Sequence, residues 1–254
     1  MAKIVSIANQ KGGVGKTTTT INLCSCLARA GKIVLMLDMD PQANATSGIG
    51  GEVENDGLSV YDGLLDGENV TDLIQDTDYE NLFLLPAHYH LTGAEIELTS
   101  LKDREFKLKN LLCEIKDKFD YIIIDCPPTL GLLTLNALCA SDSILIPLQA
   151  EYFALEGISQ LMNTYELVKE DLNKGLELEG ILITMCDMRT NLAKQVIKEV
   201  KTYFKQKVYK TIIPRNIKLA EAPSYGKPIV YYDLRSIGAE KYLNFTEEFL
   251  KQNK

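Results

Sequence analysis

The stretch IVSIANQKGGVGKTTTTINL, beginning at Ile4, constrains the fold more than any other in the chain. An apolar run at 3–8 reads as a strand, glycines follow at 12, 13 and 15, and a helical pattern opens at Lys16. Strand, glycine-rich loop and helix in that order are the context of a phosphate-binding loop, G-x-x-x-x-G-K-[ST]. The fit fails at one position. Counting back from Gly15-Lys16-Thr17, the leading glycine belongs at position 10, where Gln10 stands instead. The glycines have moved inward, and a second lysine, Lys11, has joined the loop.

The loop chemistry follows from its residue types. Gly12, Gly13 and Gly15, with Val14 between them, let backbone N–H groups turn inward around an anion. The helix N-terminus adds the positive end of its dipole. Lys16 is placed to reach β- and γ-phosphates and the Thr17 hydroxyl to ligate Mg²⁺, while Thr18 can bond a more distal phosphate. A second element, YIIIDCPP, ends an apolar strand in Asp125, where a carboxylate would hold the Mg²⁺ shell. Cys126 follows it, not a glutamate base, so the sequence predicts slow hydrolysis or a water positioned from elsewhere. A third element, VLMLDMDPQANATSG, ends a strand in Asp38 and Asp40, which period-2 geometry puts on one face. Parallel strands present their C-terminal ends to the ligand crevice. Asp40 is therefore a candidate to orient the attacking water. Asp38 either lies behind the metal as a second-layer partner or caps the next loop.

Strand patterns at 3–8, 33–37, 82–86, 121–125, 143–148, 180–185 and 211–214 alternate with helical ones at 16–30, 104–118, 131–140, 154–172, 191–205 and 238–252. Several strands are continuously hydrophobic, as parallel strands covered on both faces are. The alternation predicts an α/β fold, a doubly wound, mostly parallel sheet with helices on both faces, in one domain over 1–254. The polar stretch 48–57 reads as a mobile loop. No apolar run approaches the ~18 residues of a membrane span, and because the opening residues go straight into a strand pattern no signal peptide is expected. The six cysteines form no C-x-x-C pair, which suits reduced thiols in the cytoplasm.

Net charge is −8, which speaks against nucleic acid until its distribution is considered. Residues 1–188 hold 13 Lys+Arg against 29 Asp+Glu, and residues 189–254 hold 14 against 6. A basic quarter on an acidic chain points to a polyanion-binding face. Arg189, Lys218 and Arg235, with Lys198, Lys201 and Lys227, are the candidates.

KGGVGKTT, LDMDPQAN, IIIDCPP and IPRNIKLAEAPSYGKP together resemble the ParA/MinD family of deviant Walker A ATPases, P-loop NTPases, and within it most the chromosomal ParA group often called Soj. The resemblance covers essentially the whole chain. It implies an ATP-bound homodimer that sandwiches two nucleotides, with Lys11 reaching the phosphates of the partner's ATP. It assigns water activation to Asp40 and places adenine against Pro214 and Asn216. It also implies nonspecific binding of double-stranded DNA by the dimer, hydrolysis stimulated by a ParB-type partner, and a nucleoid-associated protein that partitions chromosomes or plasmids.

Other branches fit less well. MinD-type members, the alternative, end in a basic amphipathic membrane helix. Here the last segment carries Glu247 and Glu248, and its stripe of Tyr242, Phe245 and Phe249 reads as core packing, so stable membrane association is not expected. No cysteine spacing supports an iron–sulfur cluster. With the phosphate loop starting at residue 11, no N-terminal DNA-binding domain is expected.

Overall fold

The computed structural model describes residues 1–54, 57–151 and 154–253. The first half of the chain runs β1 (Lys3–Ile7), α1 (Lys16–Arg29), β2 (Val34–Asp38), α2 (Asn44–Gly48), α3 (Val60–Leu65), α4 (Val70–Leu73), β3 (Gln75–Asp76), β4 (Leu82–Leu85), α5 (Leu91–Leu98), α6 (Lys107–Cys113) and β5 (Tyr121–Asp125). The second runs α7 (Leu132–Ala140), β6 (Ser143–Gln149), α8 (Ala154–Leu167), β7 (Glu177–Cys186), α9 (Asn191–Phe204), β8 (Val208–Pro214), α10 (Ile217–Glu221), α11 (Ile229–Tyr232) and α12 (Ile237–Gln252).

The strands form one sheet in the order β3-β4-β2-β5-β1-β6-β7-β8. All pairings are parallel except the two-residue β3 against β4. The doubly wound reading therefore holds, with a short antiparallel edge added. Strands β2, β5 and β6 are buried along their whole length because helices cover both faces. Side chains alternate between two apolar layers. Val5 and Ile7 join the layer under α1 and α12, while Ile4 and Ala8 join the layer under α3 to α9.

Pro147 breaks a rule for inner strands, since it cannot donate to a ladder. The break is harmless here. Strand β1 pairs with β6 only as far as Leu145, so Pro147 lies beyond the shared ladder, and its carbonyl accepts a bond from the Asn9 side chain at 2.7 Å.

Several short helices escaped the sequence pattern because one or two turns show little periodicity. For α3 a signal existed. Ser59 and Asp62 form a capping box, with the Asp62 carboxylate accepting from Ser59 N at 2.7 Å. The expected helix over 104–118 is instead α6 between two 3-10 turns, Arg104–Phe106 and Lys116–Lys118. The stretch 48–57 is not free at its start. Gly48 closes α2 so near to Ile21 that a Cβ would clash, and Ile49 is buried. Asn55 and Asp56 lie outside the described residues.

The aromatic stripe of α12 is core. Tyr242, Phe245 and Phe249 are at most 1% exposed, and Phe245 meets Tyr209 edge-on at 4.8 Å. Among the described residues no helix is long and apolar enough to cross a membrane. The end of α12 is clasped by a buried carboxylate. Glu179 accepts from Lys3 Nζ, Ser143 Oγ and Asn253 Nδ2, each at 2.7 Å. Burial pushes this carboxyl up, but the three donors outweigh it and hold it below its ordinary value. Its contribution to stability is thus present above the unfolded value of about 4.3 and lost as pH falls through the folded one. Glu179→Gln should destabilise the chain by about 1–3 kcal/mol at pH 7. The gap from wild type should close in urea titrations as pH falls below ~4.

Candidate functional site

The site is built where β1, β2 and β5 end. Asp38 and Asp125 are register partners on neighbouring strands, and Ile7 pairs with Asp125 on the other side. The loop after β1 closes over them. Gly13 (φ 72°) and Gly15 (φ 90°) take the left-handed conformation that other residues avoid, which turns the loop into a nest ahead of α1. Nothing lies within 4 Å of a Cβ built on Gly12 or Gly13, so that side of the loop is open. Two braces hold the loop. Asn9 is buried, anchored on Pro147, and its Oδ1 accepts from Lys11 N at 3.0 Å. Thr184 Oγ1 donates to the Val14 carbonyl at 2.7 Å and ties the loop to β7.

Lys16 folds into this nest, 6% exposed, with Nζ 3.5 Å from the Lys11 carbonyl. Burial lowers its pKa, while the charges of Asp125 and Asp40 work to keep it protonated. Thr17 Oγ1 donates to Asp125 Oδ2 at 2.7 Å, and Thr20 Oγ1 donates to Asp125 Oδ1 at 2.8 Å. Burial and the neighbouring Asp38 push the Asp125 carboxyl upward. Burial also raises Asp38, against the donors on Thr46 and Asp40. Two adjacent buried carboxylates beside a hydroxyl are hard oxygen donors at which a divalent cation relieves like-charge repulsion. Residues Thr17 and Asp125 therefore fit Mg²⁺ as hydroxyl and carboxylate donors.

Asp38 itself works as a cap. It accepts from Asp40 N at 3.0 Å, Thr46 N at 2.8 Å and Thr46 Oγ1 at 2.9 Å. The sequence predicts that strand period places Asp38 and Asp40 on a common face; it does not. Strand β2 stops at Asp38, so Asp40 lies in the following turn, 8% exposed, with Oδ1 accepting from Gln42 N at 3.0 Å. Turn geometry, not strand period, sets its direction. Cys126 is fully buried, and burial raises its thiol far above the ordinary range, so it stays neutral.

Beside the loop opens a cavity of about 380 Å³, lined by Gly15, Thr18, Met185, Pro214, Arg215 and Asn216 among others. Pro214 and Asn216 thus share a wall with Thr18. Asn216 Oδ1 caps α10 by accepting from Leu219 N at 3.1 Å, which leaves its amide nitrogen for a ligand. Met185 stands in the left-handed region (φ 47°) where β7 and β8 lose regular register. Nothing local in the sequence marks it.

The loop's other lysine goes elsewhere. Lys11 Nζ pairs with Glu151 at 2.7 Å, both side chains being about two-fifths exposed (37% and 44%). The basic candidates are all exposed. Arg189 follows β7 and makes a forked pair with Asp187 at 2.7 and 2.9 Å. Lys218 follows β8, pairs with Glu221 at 2.9 Å and sits 5.6 Å from the Tyr232 ring centre. Arg235 lies before α12, where its backbone N–H donates to Asp233 Oδ1 at 3.1 Å. Lys198 and Lys201 ride on α9. Lys227 follows Gly226, whose carbonyl accepts from Tyr79 and lies against Gly50. Sequence reasoning missed Asn9, Thr20, Thr184, Glu151 and Arg215. Each acts through a partner far away in the chain. Only Asn9, beside the loop, lay within reach of a local motif.

The family of AAA domains matches residues 2–178. The sporulation initiation inhibitor protein Soj of Bacillus subtilis is 60% identical over 248 residues, covering 98% of each chain. The chromosome partitioning protein ParA of Myxococcus xanthus is 52% identical, covering all of this chain and 89% of its own. Among solved structures, cobyrinic acid a,c-diamide synthase from Mycobacterium smegmatis with bound ATP analog and magnesium superposes with a TM-score of 0.87 at 35% identity, covering 99% of this chain and 96% of its own. With relatives 60% and 52% identical along nearly the whole of this chain, the chain belongs to the Soj/ParA family of chromosome-partitioning ATPases.

Proposed function

We propose that residues 1–254 act as one ATPase domain that dimerises on ATP, binds double-stranded DNA without sequence preference, and is released when a ParB-type partner stimulates hydrolysis. One observation carries the dimer reading: the two lysines of one loop part company. Lys16 is buried in its own nest, whereas Lys11 stands at the rim, its ammonium on a half-exposed carboxylate. A lysine at the rim is available to a second subunit's phosphates.

ATP with Mg²⁺ is the ligand that the donors suit, and the solved relative with ATP analog and magnesium supports it. Bound there, Mg²⁺ supplies neutralisation of charge on the β- and γ-phosphates. The chain's own groups do the rest. The loop N–H groups and Lys16 hold the phosphates, with Gly12, Gly13, Val14, Gly15 and Thr18 shaping the cradle. Thr17 and Asp125 hold the metal. Pro214 and Asn216 flank the base. Asp40 orients the attacking water, and Lys11 of the partner subunit stabilises charge on the transferred group. With no strong base beside Asp125, basal turnover is slow.

For DNA, the exposed cations after β7 and β8 displace condensed counterions from phosphates, and dimerisation doubles their number. Reading the chain as a membrane-positioning ATPase is disfavoured by the burial of Tyr242, Phe245 and Phe249, which leaves α12 without an apolar face to insert. Nucleoid association in the cytoplasm follows from the DNA reading.

Three outcomes are expected. Lys16→Ala should weaken ATP binding about 30-fold or more in calorimetry, because it removes a buried charge partner. Asp40→Ala should cut hydrolysis by about 100-fold or more and accumulate an ATP-bound dimer in size-exclusion chromatography. Arg189→Glu should weaken DNA retention about tenfold at 0.1 M salt and flatten the log–log salt slope by about two per dimer, with the ATP dimer intact.

A further inference from the structure

We propose that Glu151 is a positioning residue that holds Lys11 within its own subunit and so sets how readily two subunits pair; this rests on the reading that Lys11 acts across the dimer. Glu151 lies just past the end of β6, two residues after Gln149. Both carboxylate oxygens are employed. Oε2 takes Lys11 Nζ at 2.7 Å, while Oε1 accepts from Gln149 Nε2 at 2.6 Å and lies 3.6 Å from Arg215 Nη2. Gln149 is 9% exposed, so it aims the carboxylate from a fixed base. Arg215 lines the cavity between Pro214 and Asn216. One anion thus ties the rim lysine of the phosphate loop to the loop that borders the base cavity.

The strength of this tie suits a latch. A buried pair would lock Lys11 in place, since breaking it strands a desolvated charge. No pair at all would leave the long side chain sampling solvent, its rotamer entropy unspent. A half-exposed pair is worth little in water, about a two- to fivefold bias in an equilibrium. The polyphosphate of a second subunit's nucleotide, with several negative charges, outcompetes one carboxylate for the lysine. Each subunit gives up one latch when it pairs, so the bias enters twice in the dimerisation constant. Removing the Glu151 charge while keeping its shape should therefore tighten dimerisation about 4- to 25-fold. Salt should shrink that gain, because exposed pairs are screened within about 8–10 Å at 0.1–0.15 M.

The test uses the full chain with a non-hydrolysable ATP analogue and Mg²⁺ in sedimentation velocity, comparing wild type, E151Q, K11A and the double variant. E151Q should lower the dimer dissociation constant by the stated factor at 50 mM salt, and by less at 0.5 M. Analogue affinity measured at protein concentrations where only monomer exists should change less than twofold. The double variant should match K11A, since the carboxylate acts through Lys11. Unchanged or weaker dimerisation of E151Q overturns the proposal, the latter by making Glu151 a contact of the dimer itself. A double variant that dimerises better than K11A also overturns it. K11A that dimerises like wild type would instead sink the trans-lysine reading on which the proposal stands.

Discussion

Asp125 is fully buried at the end of β5, with the Asp38 carboxyl in register on the adjacent strand, and the fold must satisfy both acidic groups away from water. It does so with donors from three directions. Thr17 and Thr20 on α1 bond Asp125, Thr46 and the Asp40 N–H bond Asp38, and the Lys16 ammonium supplies opposite charge. Those donors fix the start of α1, the turn after β2 and the start of α2 relative to the sheet. The same arrangement leaves a carboxylate pair that a divalent cation relieves. Structure and ligand preference here share one electrostatic cause.

Around that centre the charges become weaker and more exchangeable. Lys16 is enclosed, Lys11 is half-exposed on Glu151, and Arg189 and Lys218 stand in water on short-range partners. An enclosed cation stays with its own subunit's ligand. An exposed one, held by a single carboxylate, is free to change partner when a stronger anion arrives, whether a second subunit's polyphosphate or a DNA backbone. The gradient of burial from Lys16 outward separates groups proposed to serve their own nucleotide from groups proposed to serve other molecules. The pairing of Arg189 with Asp187 also explains how a chain of net charge −8 can display cations without their being free.

Much of this was legible because local chemistry dictated it. The glycines at 13 and 15 are required by left-handed backbone, and Lys16-Thr17 must follow them to meet an anion at a helix start. The continuous apolar runs of β5 and β6 could belong only to inner parallel strands. The small helices α10 and α11 and the two-residue β3 were not legible, since elements this short take their shape from what they pack on. The strand argument for Asp40 did not apply for a related reason: β2 ends at Asp38, and strand period was carried two residues past it.

What the sequence determined by itself was the sheet class, the glycine-rich loop ahead of α1, the carboxyl that ends β5 and the excess of basic residues beyond position 188, because each is written in neighbouring residues or in composition. What only the tertiary structure decided was partnership at a distance. Asn9 meets Pro147, Thr184 meets Val14, Lys11 meets Glu151, and the stripe of α12 turns into core rather than outward. Such pairs are separated by more than a hundred residues of chain, and only the crossing order of the sheet brings their strand ends to one edge, where a hydrogen bond or an ion pair can form.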